Sequence, residues 1–422
     1  MLRPVALFAG VIAFAGLLCR PVFAEALPAY SPTGPDAAAY GEAEGYPVGS
    51  IKTMGSQRTM VGAYSHADQI HPARVIASPA AASTLDRAPQ ELTLQYNDLG
   101  QTRDLEDYLS RQPVTGLLIM QGPTILLEHY RYARTEKDRF TTQSVAKTVV
   151  ALLLGTALAE GEIRSIDDPV QAYVPELAGS EAGRTPLSAL LSMSSGLAFH
   201  EAYTGKDDIA RLGRALMRPG GLGAQDVGAM FNRRVAAPGL MFNFAGLDTE
   251  LLGITVARAT HMTLSSLLET RIWAPLGAEA AATWTLDARG AEVPYCCISA
   301  VLRDWGRLGA MLAADGMWNG HQIIPRDFLL AATQPQAPAQ TASPTRRRLN
   351  YGYQAWVLPG ERRQFMLRGI AGQVILIDPA SRLVFVQTAV RKTATDPAAE
   401  AELLRLWNAL VAQQRDQLPS SG

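Results

Sequence analysis

The stretch TGLLIMQGPTILLEHYRY, residues 115–132, contains two apolar runs separated by the tripeptide QGP at 121–123. Glycine and proline interrupt local structure, and apolar runs of this length on either side of such a turn are typical of a β-hairpin. The hairpin is the first regular structure that the sequence predicts. The rest of the fold is inferred from the other predicted strands that could pair with this hairpin in one sheet.

The other end of the chain supplies further strands. YGYQAWVLPG, QFMLRGIAGQVILIDP and LVFVQTAV, which begin at residues 351, 364 and 383, predict three more strands, and residues 397–413 have the spacing of an amphipathic helix. The middle of the chain is rich in Ala and Leu with helical spacing. We therefore predict an α+β fold over residues 90–415, with a mainly antiparallel sheet built from both chain ends, flanked by helices, and a helical subdomain inserted at roughly 155–350.

The first 24 residues resemble a secretory signal peptide. A basic residue at position 3, an apolar segment from Val5 to Cys19 and the small-residue site at 22–24 predict cleavage after Ala24. The apolar segment is shorter than the roughly 20 residues that span a bilayer. We expect a periplasmic or secreted protein with no stable membrane insertion after signal removal, the alternative being a retained anchor. Residues 25–89, rich in Ala, Pro, Gly and Ser without sustained periodicity, predict an extended N-terminal arm.

After signal removal, Cys296 and Cys297 are the two remaining cysteines. Adjacent cysteines pair only through a strained ring, because a disulfide prefers Cα atoms about 5.5 Å apart and consecutive residues are closer. The sequence thus predicts no disulfide framework, and the role of this pair stays open.

Charge and motif content exclude several function classes. The chain has 39 acidic and 38 basic residues, so no strong field favours nucleic acid. The six histidines are scattered without metal-ligand spacing, and there is neither a Gly-x-Ser-x-Gly elbow nor a glycine-rich phosphate loop. We predict no cofactor, no metal site and a small-molecule partner; the oligomeric state is not indicated.

Residues 141–161, TTQSVAKTVVALLLGTALAEG, place a serine and a lysine three apart at the start of an apolar helix. Ser144 and Lys147 then lie on one face, one turn apart, where an amine can take a hydroxyl proton. Only five of the 38 basic residues are lysines, and a lysine desolvated by apolar neighbours can lose its proton whereas an arginine cannot. In the alternative, Ser144 caps a core helix and Lys147 lies on its solvated rim.

Several stretches match, in order, the motifs of a known family. They are SVAK at 144–147, LAEGEIRSIDDPVQAYVPEL at 158–177, LLSMSSGL at 190–197, PGLMFNFAGLDTELLG at 238–253, CCISAVLRDWGRLGAMLAADGMWNGHQIIP at 296–325, YGYQAWV at 351–357 and RGIAGQVILIDP at 368–379. Together they resemble the serine β-lactamase and penicillin-binding protein superfamily over roughly residues 100–410. The resemblance is closest to its class C-like branch, which includes 6-aminohexanoate-dimer hydrolases and esterases.

This resemblance implies an acyl-enzyme mechanism with Ser144 as nucleophile and Lys147 as its base. The backbone amides of Ser144 and Ile370 would form the oxyanion hole, which needs donors but no particular side chain. The family's third motif, usually Lys-Thr-Gly or His-Thr-Gly, corresponds here to Leu367-Arg368-Gly369. Gly369 allows close approach of substrate to the backbone, and Arg368 either clamps a substrate carboxylate or faces solvent. The missing Lys-Thr-Gly argues against efficient β-lactam turnover.

The family's second motif also differs. Its tyrosine, which shares proton transfer with the lysine, corresponds to Phe244, and a phenyl ring cannot move a proton. Tyr203 is a possible substitute in the pocket, or an ordinary surface aromatic. Two functions remain open: a serine hydrolase that cleaves a small amide or ester, and a catalytically impaired relative that binds a peptide, cell-wall fragment or partner.

Overall fold

The structure is a computed structural model of the chain and describes residues 1, 25–338 and 349–416. The predicted signal peptide thus lies, apart from Met1, outside the described residues. The strands are β1 (Ala29–Tyr30), β2 (Ala73–Ile76), β3 (Asp86–Arg87), β4 (Gln95–Asp98), β5 (Gln101–Asp104), β6 (Val114–Gln121), β7 (Thr124–Tyr130), β8 (Arg139–Thr141), β9 (Ala282–Thr285), β10 (Ile298–Val301), β11 (Met317–Trp318), β12 (His321–Gln322), β13 (Asn350–Tyr351), β14 (Trp356–Val357), β15 (Phe365–Arg368), β16 (Val374–Asp378) and β17 (Leu383–Ala389). The α-helices are α1 (Gln57–Ser65), α2 (Leu105–Arg111), α3 (Val145–Ala159), α4 (Leu187–Leu191), α5 (Asp208–Met217), α6 (Ala224–Met230), α7 (Gly246–Thr260), α8 (Leu264–Leu268), α9 (Ala274–Leu276), α10 (Leu302–Ala313), α11 (Arg326–Ala332) and α12 (Pro397–Asp416).

The main sheet joins the two ends of the chain. Its strand order in the described residues is β1-β7-β6-β17-β16-β15-β14-β13, with β3 also paired to β7. The predicted hairpin is present as the antiparallel pair β6 and β7, and β17 lies antiparallel to β6. The predicted α+β fold, with an antiparallel-dominated sheet built from both chain ends, is confirmed.

The late strands differ in number from the prediction. The structure has five strands from β13 to β17 where the sequence predicts three. The stretch 364–379 forms both β15 and β16, because a 3₁₀ turn at Ile370–Gly372 reverses the chain between them. Ala371 has a φ of 59° and Gly372 a φ of 94°, so this turn uses the left-handed region of the backbone. The predicted C-terminal helix is observed as α12.

Helices cover both faces of the main sheet. Along β6, Leu118 and Met120 belong to the core that contains α3 and α10, while Leu117 and Ile119 belong to the core that contains α2 and α12. This alternation follows from the period of two along a strand, and it explains why the strand is apolar throughout. Helix α10 lies very close to the sheet, since a Cβ at Gly309 would be 2.4 Å from Val384 Cγ1.

A smaller antiparallel sheet, β2-β9-β10-β8, lies beside the helical part of the chain. The predicted helical subdomain at 155–350 is too long at its C-terminal side. Strands β9 and β10 belong to this smaller sheet, and α10 packs against β6, β16 and β17 of the main sheet. The inserted helices that remain are α4 to α9.

The segment 25–89 differs from the predicted extended arm. It contains helix α1, and it contributes β1 and β3 to the main sheet and β2 to the smaller one. Tyr40, Tyr46 and Met60 form a separate buried cluster with Tyr132, and this cluster includes Ala371 of the 3₁₀ turn. The segment therefore supports the turn that follows β15.

Candidate active site

Ser144 lies where the chain leaves strand β8 and enters helix α3. Gln143, the preceding residue, has a φ of 52°, which is uncommon for a residue with a side chain and turns the chain sharply. Strand β10 holds this turn from one side, because the N–H of Thr142 donates to Ile298 O and the N–H of Cys297 donates to Gln143 O. Ser144 is thereby fixed at the N-terminal end of α3.

Lys147 lies in the first turn of α3 and is only 2% exposed. Its Nζ is 3.1 Å from Ser144 Oγ and 3.0 Å from the carbonyl oxygen of Tyr295. The expectation that Lys147 sits on a solvated rim is therefore wrong. Helix α3 is apolar on all sides and buried from Val145 to Ala157, which is why its first turn also lies inside the protein.

Two aromatic rings lie beside the amine of Lys147. Its Nζ is 5.3 Å from the ring centroid of Phe244 and 5.4 Å from that of Tyr295. The Phe244 ring also stacks on Trp356, with centroids 5.5 Å apart and planes 25° from parallel. Phe244, two residues before the start of α7, thus lies beside the amine of Lys147, and its correspondence to the family's tyrosine stays a prediction.

Ser144 and Ile370, whose amides are the expected oxyanion-hole donors, line the same pocket. Gly369 brings the end of β15 close to the serine turn, because a Cβ on it would lie 2.3 Å from Thr142 O. Among the described residues, neither the N–H of Ser144 nor that of Ile370 donates a hydrogen bond to the protein. Both donors therefore remain for a bound oxygen atom.

These groups line a pocket of about 310 Å³. The pocket is lined by Ser144 and by five other residues that the sequence analysis proposed for the site. One further aromatic residue and two residues just before α12 complete its wall. The lining residues are Ser144, Tyr203, Phe244, Trp356, Arg368, Gly369, Ile370, Ala394 and Thr395. Lys147 lies behind Ser144, in contact with its hydroxyl.

A family model described as beta-lactamase matches residues 103–407. This chain belongs to the beta-lactamase family. It is 28% identical over 322 residues to the 6-aminohexanoate-dimer hydrolase of Paenarthrobacter ureafaciens, covering 73% of this chain and 81% of that protein. The match confirms the family that the ordered motifs indicate, and members of this β-lactamase-fold family are serine hydrolases.

Solved structures show the same fold. A proposed 6-aminohexanoate-dimer hydrolase from Bacillus anthracis superimposes with a TM-score of 0.75 at 20% identity, covering 87% of this chain and 97% of that chain. A class C beta-lactamase from Rhodobacter sphaeroides has a TM-score of 0.51 at 16% identity, covering 71% of this chain and 95% of that chain.

Arg368 is the last residue of strand β15. Its guanidinium forms an ion pair with Glu400 of α12 and lies 5.8 Å from the ring centroid of Trp356. It therefore lines the pocket while bonded to an acid of the protein. Of the two expectations for Arg368, exposure to solvent alone is wrong, and a role in holding substrate stays a prediction.

Tyr203 lies in the pocket wall, in a loop before α5. Its hydroxyl donates to Glu201 Oε1 at 2.6 Å, and Glu201 Oε2 accepts from the N–H of Gly246 at 2.6 Å. Glu201 thus ties the loop of Tyr203 to the first residue of α7, next to Phe244. Tyr203 is half-buried and lines the pocket, and a role for it in proton transfer stays a prediction.

Sequence reasoning missed Glu201, Tyr295 and Trp356. Tyr295 directly precedes the cysteine pair, and Cys296 and Cys297 are bonded to each other although their Cα atoms are only 3.7 Å apart. The expectation of no disulfide framework is compatible with this single local bond, which crosslinks nothing distant. Burial, together with the carboxylates Glu250 and Glu201, raises the pKa of the Tyr295 phenol.

Within residues 25–338 and 349–416, no group of three or more His, Cys, Asp or Glu side chains is placed to hold a metal ion. In the same ranges no helix combines the length and apolar character needed to cross a membrane.

Proposed function

We propose that this protein is an exported serine hydrolase that cleaves a small amide or ester through an acyl-enzyme, with Ser144 as nucleophile and Lys147 as base. The observation that carries the proposal is the 3.1 Å contact between Lys147 Nζ and Ser144 Oγ. This separation lies within hydrogen-bond reach of the hydroxyl proton, as a general base requires. Burial favours the uncharged form of an amine, which is the form that accepts a proton.

The reaction then follows from the placement of each group. Lys147 takes the proton of Ser144 as Oγ attacks the substrate carbonyl, and the amides of Ser144 and Ile370 stabilise the oxyanion of the tetrahedral intermediate. Return of the proton to the leaving amine or alcohol gives an acyl-serine. Attack by water, with Lys147 again accepting a proton, releases the acid and restores Ser144.

Family relatives support an amide or ester as substrate. The relative from Paenarthrobacter ureafaciens is named a 6-aminohexanoate-dimer hydrolase, and a Streptomyces structure with a TM-score of 0.52 is described as a D-stereospecific amidohydrolase. Export is supported by the signal-like residues 1–24, which predict a periplasmic or secreted protein.

A second function is favoured by Phe244. The ring beside Lys147 lacks the hydroxyl that the family's tyrosine supplies, so the protein is alternatively a catalytically impaired relative that binds a peptide, cell-wall fragment or partner in the same pocket.

Covalent labelling distinguishes the two functions. A fluorophosphonate probe should add one mass equivalent at Ser144, and a chromogenic short-chain ester should be hydrolysed. Ser144→Ala should lose both, because the variant has no positioned nucleophile. The intact mass of the same sample should show a chain that begins at Glu25. A folded protein without labelling or turnover would support the binding function, and turnover by Ser144→Ala at the parent rate would exclude Ser144 as nucleophile.

A further inference from the structure

The Cys296–Cys297 disulfide lies between two contacts that hold the proposed base and nucleophile. The residue before it is Tyr295, whose carbonyl oxygen accepts a hydrogen bond from Lys147 Nζ at 3.0 Å. The N–H of Cys297 itself donates to the carbonyl oxygen of Gln143 at 3.3 Å, and Gln143 immediately precedes the proposed nucleophile. The bonded pair is therefore connected both to the amine and to the turn that carries the serine.

The backbone of Cys297 has an uncommon conformation that the disulfide helps to hold. Its φ is 76°, a positive value that residues with a side chain seldom adopt unless their surroundings impose it. The bond to Cys296 closes a small ring across the peptide between the two residues. Reduction opens this ring, and the φ of Cys297 is then free to return to the negative values that ordinary residues prefer.

A change of φ at Cys297 acts on the active-site side of the chain. It rotates the Cys297 N–H and the Tyr295 carbonyl together, relative to strand β10, which begins at Ile298. Strand β10 is buried and pairs with β8 on one side and β9 on the other, so it is the fixed part of this region. The contacts to Lys147 and Gln143 are therefore the ones that move.

The indole of Trp284 on β9 reports on the same peptide. Trp284 is fully buried, and its Nε1 donates to the carbonyl oxygens of Val293 at 2.9 Å and Cys296 at 3.1 Å. Both cysteines are partly exposed, although the residues on either side of them are buried. A small dithiol can therefore approach the pair from solvent without unfolding the core around it.

We propose that Cys296–Cys297 is a redox-modified site that controls the adjacent serine site. The disulfide form holds Lys147 and Ser144 in place, and reduction by a dithiol releases them and lowers activity reversibly. In the exchange, a thiolate of the dithiol attacks one cysteine sulfur, and its second thiolate then displaces the other, so that the protein gains two thiols and the dithiol becomes a disulfide. The effect on turnover rests on the proposed function.

Thiol counting establishes the redox state before any rate is measured. In the chain carrying Cys19→Ser, Cys296 and Cys297 are the only cysteines. After mild oxidation, the denatured chain should take up no N-ethylmaleimide, and after treatment of the folded chain with dithiothreitol it should take up two per chain by intact mass. Two free thiols that persist after oxidation would overturn the proposal, and so would a bond that dithiothreitol cannot reduce in the folded chain.

Rates then measure the control. Reduction should lower kcat for a chromogenic ester at least about tenfold, since misplacing a reacting group by about 1 Å can cost about 10²-fold. KM should change little, because the cysteines do not line the pocket. Fluorophosphonate labelling should slow in parallel, and reoxidation should restore both rates. An unchanged kcat in a chain shown by mass to carry both thiols would overturn the proposal.

A double serine variant is the control for the reagent. Cys296→Ser combined with Cys297→Ser should have the low kcat of the reduced chain and should not respond to dithiothreitol. An equal loss of rate when dithiothreitol is added to this variant would show that the reagent acts elsewhere and would overturn the proposal. If the variant does not fold, reversal by reoxidation of the parent chain decides the same question.

Hydrogen exchange separates the redox site from the hydrolase. Reduction should speed amide exchange in peptides that cover 141–147 and 284–298 and leave peptides that cover 397–413 unchanged. Faster exchange at 141–147 in a chain that neither hydrolyses esters nor reacts with a fluorophosphonate in either redox state would keep the redox coupling and overturn the hydrolase. Hydrolysis that depends on Ser144, with neither rate nor exchange altered by reduction, would overturn the redox site and leave the hydrolase.

Discussion

Helices α3 and α7 pack against each other, and the residues at their N-terminal ends meet at the amine of Lys147. On α3, the buried Lys147 is engaged by the Ser144 hydroxyl and the Tyr295 carbonyl. On α7, Asp248 and Glu250 are equally buried, but both oxygens of Asp248 and one of Glu250 lack hydrogen-bond partners of normal geometry in the described residues.

The buried ionisable groups at the two helix N-termini therefore differ in their hydrogen bonding. Burial raises the pKa of Asp248 to about 8, although the hydroxyl and N–H of nearby Ser195 act to lower it. Burial, with Asp287 nearby, also raises the pKa of Glu250 to about 8. At neutral pH both acids are mainly protonated. At the N-terminal end of α3, the buried amine of Lys147 thus has defined hydrogen-bond partners. At the N-terminal end of α7, the ionisable side chains are neutral acids, and the ring of Phe244 lies beside them in sequence.

The largest expected effect is at the α3 end. Lys147→Ala should lower the acylation rate roughly 10² to 10⁴-fold, because general-base catalysis contributes that much. Lys147→Arg should restore little, since a guanidinium keeps its proton at any working pH. Rates of ester hydrolysis and of fluorophosphonate labelling measure the effect, and Lys206→Ala, at an exposed lysine, is the control. Full activity of Lys147→Arg would show that residue 147 contributes only its positive charge and is not the general base.

The next effect is at the α7 end, where Phe244→Tyr adds a hydroxyl near the amine. The ring already stacks on Trp356, so packing should suffer by less than about 1.5 kcal/mol. We expect ester hydrolysis to rise by up to about 10²-fold, as a phenol can carry the proton toward the leaving group.

Tyr203→Phe provides the comparison for that variant. If Tyr203 already moves the proton, the gain from Phe244→Tyr should be small in the parent and larger in the Tyr203→Phe background. Ester and short-amide hydrolysis by the four combinations measures this. Folded proteins with no gain in either background would show that residue 244 does not occupy the tyrosine position.

Local patterns account for what the sequence could predict. The β6–β7 hairpin, helix α12 and the one-turn spacing of Ser144 and Lys147 each depend on residues close in sequence, where periodicity of two or 3.6 is informative. The ordered motifs then indicated that Phe244 and the segment after β15 reach the same pocket. Both lie there in the structure.

Long-range contacts account for what it could not. Glu201 links Tyr203 to Gly246 across 45 residues, and Tyr295 reaches Lys147 across 148. Neither contact leaves a periodic signal. Helix α1 was missed because its flanks are rich in Gly and Ser and its stability comes from packing in the Tyr40–Tyr132 cluster, where tertiary contacts override weak propensity.

The smallest effect concerns stability and tests whether the acids of α7 are neutral. The pKa of Asp248 is raised in the folded protein by burial and by the Glu201 carboxylate, so its contribution to stability is fully present below the unfolded pKa near 4 and is lost as pH rises toward about 8. The asparagine in Asp248→Asn cannot ionise, so the free energy of unfolding of the variant does not fall over this pH range because of residue 248. The stability of the variant relative to the parent should therefore increase between pH 5 and pH 8, by at most about 1.4 kcal/mol per pH unit.

Melting temperatures of both proteins across this range measure the difference, and Asp327→Asn, at an exposed aspartate of α11, should give a nearly constant difference. A constant difference for Asp248→Asn as well would mean that Asp248 ionises in the folded protein much as it does in the unfolded chain, and the contrast between the two helix ends would then be lost.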